Sequence, residues 1–446
     1  MVRRTLLAAS LVAGFSMALA SGAAIAGTVT VITSFPKELT AAYKAAFEKA
    51  NPGVTLEILN KSTVAGIAFV RETAAGQRPD VFWASAPDAF EVLKRDKLLV
   101  AATDVDNKAI PAKIGNYPIN DPQGYYKGQA LAGYGIMYNT RYLKANKLTP
   151  PREWTDLLAP AWHGHVAMTS PSRSGTMHLT VETILQGEGW DKGWSQILQM
   201  AGNSAQVTER SFGVPDGINN GQFGGGPVID FFGLAGKNSG FPVEFVYPAV
   251  TSIVPANIAL IAGGKNTAEA KKFVQFALSQ QGQELLLLPA ISRLPVLPYS
   301  ALAGKIPAGY PDPQAIVKRA KVNFNADLSE DRYSLVHSLF DQTITFRLKE
   351  LQAATKAIHE AEAKLAGRPN AQAAELLKQA RSLAFTPIVS SSLAGQADFL
   401  KVFASNKKEV AVSKQITGLE ESWNRKAREN YAKAAELAQQ AAALAK

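Results

Sequence analysis

The sequence predicts an α/β protein of two lobes followed by an all-helical extension, and three observations carry that expectation. Short β-branched runs alternate with helical stretches near the N-terminus. A second such set begins near His165. From about Asp312 onward the strand signal gives way to long Ala-, Lys-, Glu- and Gln-rich segments with helical spacing. Strands that alternate with helices imply a parallel sheet covered by helices. At roughly 100 to 200 residues per domain, a chain of 446 residues has room for two or three domains.

Residues 1–26 read as an export signal. Arg3 and Arg4 precede an uncharged, mostly apolar run over 5–20, and Ala24-Ile25-Ala26 is the small-x-small pattern of a cleavage site, so the mature chain is expected to start near Gly27. The rest of a twin-arginine motif is missing, which favours the general export route; a retained N-terminal anchor is the alternative. No later segment offers the roughly 18 to 20 apolar residues of a membrane span, so stable membrane insertion is not expected. With no cysteine there is no disulfide, thiolate metal site or lipidated N-terminal Cys.

In the first lobe, residues 28–33 form a strand. Leu39, Tyr43 and Phe47 recur every four residues on a helix that stops at Asn51-Pro52-Gly53. Residues 54–59 form the next strand, and residues 80–84 a buried one leading into Pro87 and a helix carrying Phe90 and Leu93. The second lobe repeats the pattern with strands at 165–168, 206–208 and 227–230 and a helix beginning near Gly175. The strand-like run 253–261 and the amphipathic stretch 267–279 suit the first lobe again, so the chain crosses over and returns. This places lobe I in residues 27–131 and 249–311, lobe II in 132–248 and the helical extension in 312–446. One extension helix carries Ile344, Leu348, Leu351, Ile358 and Leu365 and stops at Gly367, with Pro369 just beyond. Another carries Ile416, Leu419, Trp423, Ala427, Ala434, Leu437, Ala441 and Leu444. Both stripes need a partner: the extension folded on itself or on the first lobe is the plain expectation, an oligomer or partner contact the other.

The formal charge is +10, and removal of Arg3 and Arg4 lowers it to +8. Its even spread argues against a nucleic-acid partner. A mildly basic surface draws anions, an attraction that salt weakens; solubility alone explains it equally well.

In a two-lobed α/β protein, ligands sit at the loops that follow the strands, where helix N-termini expose unpaired N–H groups. Hydroxyls and glycine dominate those loops here: Ser34 after the first strand, Ser85 after the Trp83 strand, and Ser170 to Thr176 before a helix. Ser174, Gly175 and Thr176 suit a phosphate or carboxylate, and equally an ordinary N-cap. Arg173 can grip two oxygens at once, or is a surface charge. No catalytic constellation is present: there is no Gly-x-Ser-x-Gly elbow, Walker loop or His-Glu-x-x-His helix. His163 and His165 lie two apart, so on a strand they could share a face and bind a metal, but no carboxylate lies close beside them, which argues against it. His178, His337 and His359 are scattered and read as structural, and Gly224-Gly225-Gly226 as a tight turn. No enzyme activity, cofactor or metal is expected.

Residues 29–35 (Val-Thr-Val-Ile-Thr-Ser-Phe), 80–85 (Asp-Val-Phe-Trp-Ala-Ser), 134–140, 154–158, the Ser174-Gly175-Thr176 turn, 245–248, 268–274 and 279–283 resemble, in order, the periplasmic solute-binding proteins of ABC importers. The subgroup resembled includes ferric-iron, phosphonate and sugar-phosphate or phosphoglycerate binders. The resemblance implies a type II periplasmic-binding-protein-like fold whose lobes close over a ligand, and a membrane permease as partner. It places Ser34, Thr63 and Ser85 on the ligand from the first lobe, and Ser174, Gly175, Thr176 and Asp230 from the second. Iron binders carry adjacent tyrosines near this last position. Here Asp230-Phe231-Phe232 stands there, and Tyr125-Tyr126 lies far earlier, which favours a small phosphorylated or carboxylated anion over ferric ion. Asp230 would accept hydrogen bonds from the same ligand, or is a helix or turn cap. Ferric transport, and a ligand sensor that signals to a membrane kinase through the extension, are the alternatives.

Overall fold

The computed structural model describes residues 27–368, 370–404 and 410–444; the segment 1–26, expected to be an export signal, and Pro369 lie outside the described residues. The first lobe is built as β1 (Gly27–Thr33), α1 (Lys37–Ala50), β2 (Val54–Asn60), α2 (Thr63–Glu72), β3 (Val81–Ala84) and α3 (Pro87–Arg95). Leu39, Tyr43 and Phe47 are the buried face of α1, as their spacing requires. That helix stops at Asn51, two residues before Gly53 takes a positive φ. β1 pairs in parallel with both β2 and β3, and the Trp83 indole is enclosed edge-on by Phe35, Tyr43 and Phe273.

The lobes are joined by β4 (Lys127–Asn139), a 13-residue strand. Its first half pairs with the later strand Ile253–Ile261, while its second half pairs with Gly225–Ile229 and Val243–Val246. The second lobe contains β5 (Val166–Thr169), α4 (Gly175–Glu188), α5 (Trp190–Gly202), β6 (Ser204–Thr208), β7 (Gly225–Ile229), α6 (Asp230–Asn238) and β8 (Val243–Val246). The chain then returns through β9 (Ile253–Ile261) and α7 (Thr267–Leu278), which pack in the first lobe. The sheet order is β2-β1-β3-β9-β4-β7-β5-β6, with β8 also on β4. Outer strands are parallel within each lobe, but β4 and β9 run antiparallel to their neighbours. The sheet is therefore mixed rather than wholly parallel, because the strands carrying the chain between lobes run against the local direction. Gly225 and Gly226 are strand residues rather than a tight turn: a Cβ on Gly226 would lie 2.1 Å from the Ala167 carbonyl oxygen. Close backbone approach, not turning, requires glycine there.

Among the described residues after Asp312 the only regular elements are helices, with no strand. They include α8 (Ala326–Asp331), α9 (Tyr333–Thr343), α10 (Leu348–Leu365), α11 (Ala371–Phe385) and α12 (Val410–Ala443). The expected helix through Ile344 is broken. Ile344 caps α9, a 3₁₀ turn covers Thr345–Arg347, and α10 starts afresh at Leu348. Three consecutive β-branched residues, Thr343 to Thr345, weaken the helix at that point. α10 ends at Leu365, with Gly367 at φ +74°. The stripe on α12 is buried at Ile416, Trp423, Ala427, Ala434, Leu437 and Ala441.

The long helices α10, α11 and α12 rest on the second lobe, not on the first, whereas the start of the extension also touches the first lobe. One continuous core joins Trp190, Trp194 and Ile197 of α5 to Leu351 and Ile358 of α10, Ala380 and Phe385 of α11, and Tyr431 of α12. The approach of α5 to α10 is close enough that a Cβ on Gly202 would meet Thr355 Oγ1 at 2.0 Å. α5 is apolar on more of its circumference than a helix covering one sheet face needs, and the extension takes the surplus.

Candidate functional site

The loops after β1 and β3 and the first turns of α2, α4 and α6 converge between the lobes. Ser34, Thr63, Ser85, Thr176 and Ser211 place hydroxyls around a cavity of about 20 Å³, closed by the rings of Phe35, Phe212, Phe231 and Phe232. That volume holds little more than a water molecule, so a larger ligand is admitted only when the lobes part. Phe35 and Phe212 also border an open groove of about 630 Å³, lined by Lys37, Glu38, Lys44, Asn60 and Asp216. The positive ends of several helices face one small space, an arrangement that favours an anion.

Each expected site residue has a definite place. Thr63 donates to Ser34 across 3.2 Å. Ser174 caps α4 by accepting from the Met177 N–H at 3.1 Å and bonds Ser211 at 2.6 Å. It supports the cavity wall without lining it. Gly175 is where the lobes touch: a Cβ there would lie 2.9 Å from Thr63 Oγ1 and 3.0 Å from the Ala86 methyl. Arg173 does not reach the cavity; it pairs with Glu209 at 2.9 Å on the surface, the surface-charge alternative. Asp230 opens α6 and is fully buried behind the cavity. It accepts from the Gly133 N–H at 2.7 Å, its own neighbour Phe231 N–H at 2.8 Å and the Tyr247 hydroxyl at 3.0 Å.

Burial pushes the Asp230 carboxyl up to about 7, against the opposing pull of these donors and of Arg293. The folded protein then holds a proton that the unfolded chain releases between about pH 4 and 7. The resulting stabilisation is present at the acid end and lost as pH rises. Asp230→Asn removes this dependence. Urea melts from pH 4 to 8 should show the variant gaining on the wild type by on the order of 4 kcal/mol, about three pK units at 1.36 kcal/mol each; parallel stability curves would refute it.

The residue that the loop patterns do not reveal is Arg293. It is 1 % exposed, and its guanidinium lies between the rings of Phe35, 3.9 Å away, and Phe231, 3.6 Å away. Nη1 donates to Ser85 Oγ at 3.0 Å, while Nε and Nη2 have no hydrogen-bond partner. Two cavity walls and one cavity hydroxyl therefore surround a buried cation with unused donors. Burial lowers its pKa to about 9, with Asp230 the largest opposing influence. The backbone holds it in place. Ser292 takes a positive φ of 48°, the Arg293 N–H bonds the Leu286 carbonyl at 2.8 Å, and Leu294–Pro295 pairs with β4 at Leu131 and Ala130. The legible signal was a lone charge in the apolar run 285–297.

The histidines are accounted for differently than their spacing indicated. His165 bonds the Tyr142 hydroxyl at 2.7 Å and His359 bonds Asn203 at 3.0 Å. Among the described residues no group of three or more His, Cys, Asp or Glu side chains is placed to hold a metal ion. His178 and His337 are not scattered: their rings lie 5.0 Å apart. Tyr126 bonds Glu91, and neither it nor Tyr125 lines the cavity.

Two α/β lobes, joined by crossing strands and closed on a hydroxyl-lined cavity, define a two-lobed solute-binding protein. The chain belongs to the bacterial extracellular solute-binding proteins, whose family model matches residues 76–309. It is 30% identical over 340 residues to the phosphoglycerate transport regulatory protein PgtC of Salmonella typhimurium, covering 76% of this chain and 82% of that protein. The fold is shared with the periplasmic binding protein AfuA of Actinobacillus pleuropneumoniae, solved with fructose-6-phosphate. The TM-score is 0.64 at 20% identity, over 72% of this chain and 99% of that one. Iron-bound HitA of Pseudomonas aeruginosa aligns with a TM-score of 0.55 at 16% identity, over 70% and 99%. The family and these neighbours are binding proteins, not enzymes. Among the described residues no helix is long and apolar enough to cross a membrane.

Proposed function

We propose that the protein captures a small phosphorylated or carboxylated anion between its lobes in the periplasm and delivers it to an ABC-type permease. The observation that carries this reading is Arg293, a buried guanidinium with two unpartnered donor nitrogens, Nε and Nη2, beside Ser85 and the cavity. A buried charge is retained at considerable cost unless a partner of opposite sign completes it, and a dianionic phosphate matches the planar fork. Ser34, Thr63, Ser85 and Thr176 supply neutral hydrogen bonds to the remaining oxygens, and the groove beyond Phe35 and Phe212 accommodates the rest of the molecule. The likeness to PgtC, a phosphoglycerate transport regulatory protein, and to AfuA, solved with fructose-6-phosphate bound, supports the same class of ligand.

Ferric ion fits this lining less well: the rings at the cavity are all phenylalanine, so no phenolate faces it. Isothermal titration with 3-phosphoglycerate, fructose-6-phosphate, a phosphonate and citrate tests the reading. At least one phosphorylated or carboxylated compound should bind and raise the melting temperature; silence from all four, or a coloured ferric complex, would count against it. Thr176→Ala, which removes one lining hydroxyl, should weaken binding about 5- to 10-fold, as for one hydrogen bond of about 1 kcal/mol or slightly more, with no loss of melting temperature. A regulatory role is the second reading, favoured by an extension that touches both lobes.

A further inference from the structure

The start of the extension bridges the lobes. Asp88 at the start of α3, His178 on α4 and Ser329 on α8 meet with none of the three exposed to solvent. Asp88 Oδ2 accepts from Ser329 Oγ at 3.1 Å and lies 3.0 Å from His178 Nε2, which is itself 3.0 Å from Ser329 Oγ. One residue comes from each lobe and one from the extension. Tyr333 and His337 of α9 pack against the His178 ring, tilted at 4.5 Å and edge-on at 5.0 Å respectively, and burial holds His337 well below the usual histidine range, so it packs as a neutral ring.

Further ties run from the same short segment in both directions. Toward the first lobe, Glu330 pairs with Arg95, Phe324 packs on Tyr117 and Asn323 bonds Asn116 at 3.4 Å. Toward the second, Gln186 makes a reciprocal pair of hydrogen bonds with the Asn325 backbone at 2.7 Å and 3.0 Å, and Arg332 pairs with the fully buried Glu182 at 2.5 Å. α3 and α4 belong to opposite lobes, and hinge opening separates them. Residues 323–332 cannot follow both, so opening must break one set of these ties.

We infer that residues 323–332 are an interlobe latch, which biases the two-lobed body toward its closed form and transmits lobe separation to the helical extension. Closure and the state of the extension are then one linked equilibrium, and a ligand that favours closure also favours the docked latch. The statement concerns the lobes themselves; only its consequence for affinity rests on the anion-binding reading.

The absence of native cysteine makes the test direct. Spin labels on Lys49→Cys in the first lobe and Asn220→Cys in the second, both at exposed positions, report the interlobe distance by double electron–electron resonance in full-length protein without added solute. Ser329→Ala combined with Glu330→Gln removes the first-lobe ties to Asp88 and Arg95, and Gln186→Ala weakens the second-lobe ties. Each is expected to raise the population at long distance at least threefold. Arg347→Ala, which loses bonds to Asn424 and Glu350 within the extension, should leave the distribution unchanged. Circular dichroism and melting confirm that each variant is folded, and a variant that fails is replaced by Ser329→Ala alone. Unchanged distances in both latch variants, or equal opening in Arg347→Ala, overturn the latch. Titration of the same proteins with 3-phosphoglycerate then reads the linked effect, expected as a several-fold weaker affinity in the latch variants. If that solute fails to bind wild type, the anion reading is what suffers, and the distance result still judges the latch.

Discussion

Arg293→Leu should lose anion binding by at least a hundredfold while melting at a higher temperature than the wild type. The two effects have one cause. The guanidinium is withdrawn from water between Phe35 and Phe231 with only one of its donors engaged, by Ser85. Holding that charge in the ligand-free protein is unfavourable, and replacement of buried ionic groups by apolar ones of similar size gains about 1–4 kcal/mol. In a protein of this size that corresponds to a rise of several degrees. In the complex the same two free donors would make charge-assisted hydrogen bonds of about 1.5–3 kcal/mol each. Their loss corresponds to roughly a hundred- to ten-thousandfold in affinity. Titration calorimetry with the best-binding phosphorylated solute, and differential scanning calorimetry of both proteins, measure the two halves. A variant that binds normally removes Arg293 from the site; one that melts lower with binding intact makes it a structural residue.

Truncation after Asp312 should prevent the remaining lobes from accumulating as a soluble monomer. The extension shares a core with the second lobe, and its removal uncovers Trp190, Trp194, Ile197, Leu198 and Ala201 along α5. Each large apolar side chain returned to water costs about 1.5–3 kcal/mol. Four such residues approach on the order of 10 kcal/mol, comparable with the whole stability of a typical domain. Expression as inclusion bodies, or a soluble aggregate that binds a hydrophobic dye, is the expected result. A monomer that melts like the full chain would mean that the extension is an independent module. The experiment that separates sensing from transport therefore has to leave the extension in place and alter the latch instead.

Much of the architecture was legible. Four-residue spacing of Leu39, Tyr43 and Phe47, the stop at Asn51-Pro52-Gly53, and β-branched runs at 28–33 and 253–261 are local signals, and the elements form where those signals lie. The loops after β1 and β3 and the turn before α4 were singled out because strands in such folds end at the ligand. Ser34, Thr63, Ser85 and Thr176 do meet around one cavity. Arg173 and Asp230 illustrate the limit. Their chemistry suits an anion site, but a surface partner, Glu209, takes the first, and three donors at the hinge take the second.

By itself the sequence determined the alternation of strand and helix, the return of the chain through 253–261, and the loops rich in hydroxyls, because each depends on residues close together along the chain. Tertiary structure alone decided that Arg293 would be buried between two rings, that Asp88, His178 and Ser329 would meet, and that the long helices of the extension would lie on the second lobe. The physical reason is separation. Ser85 and Arg293 are 208 residues apart and Asp88 and Ser329 are 241 apart, so no local period records their contact. A charge or histidine reads the same in sequence whether it faces water or closes a lobe.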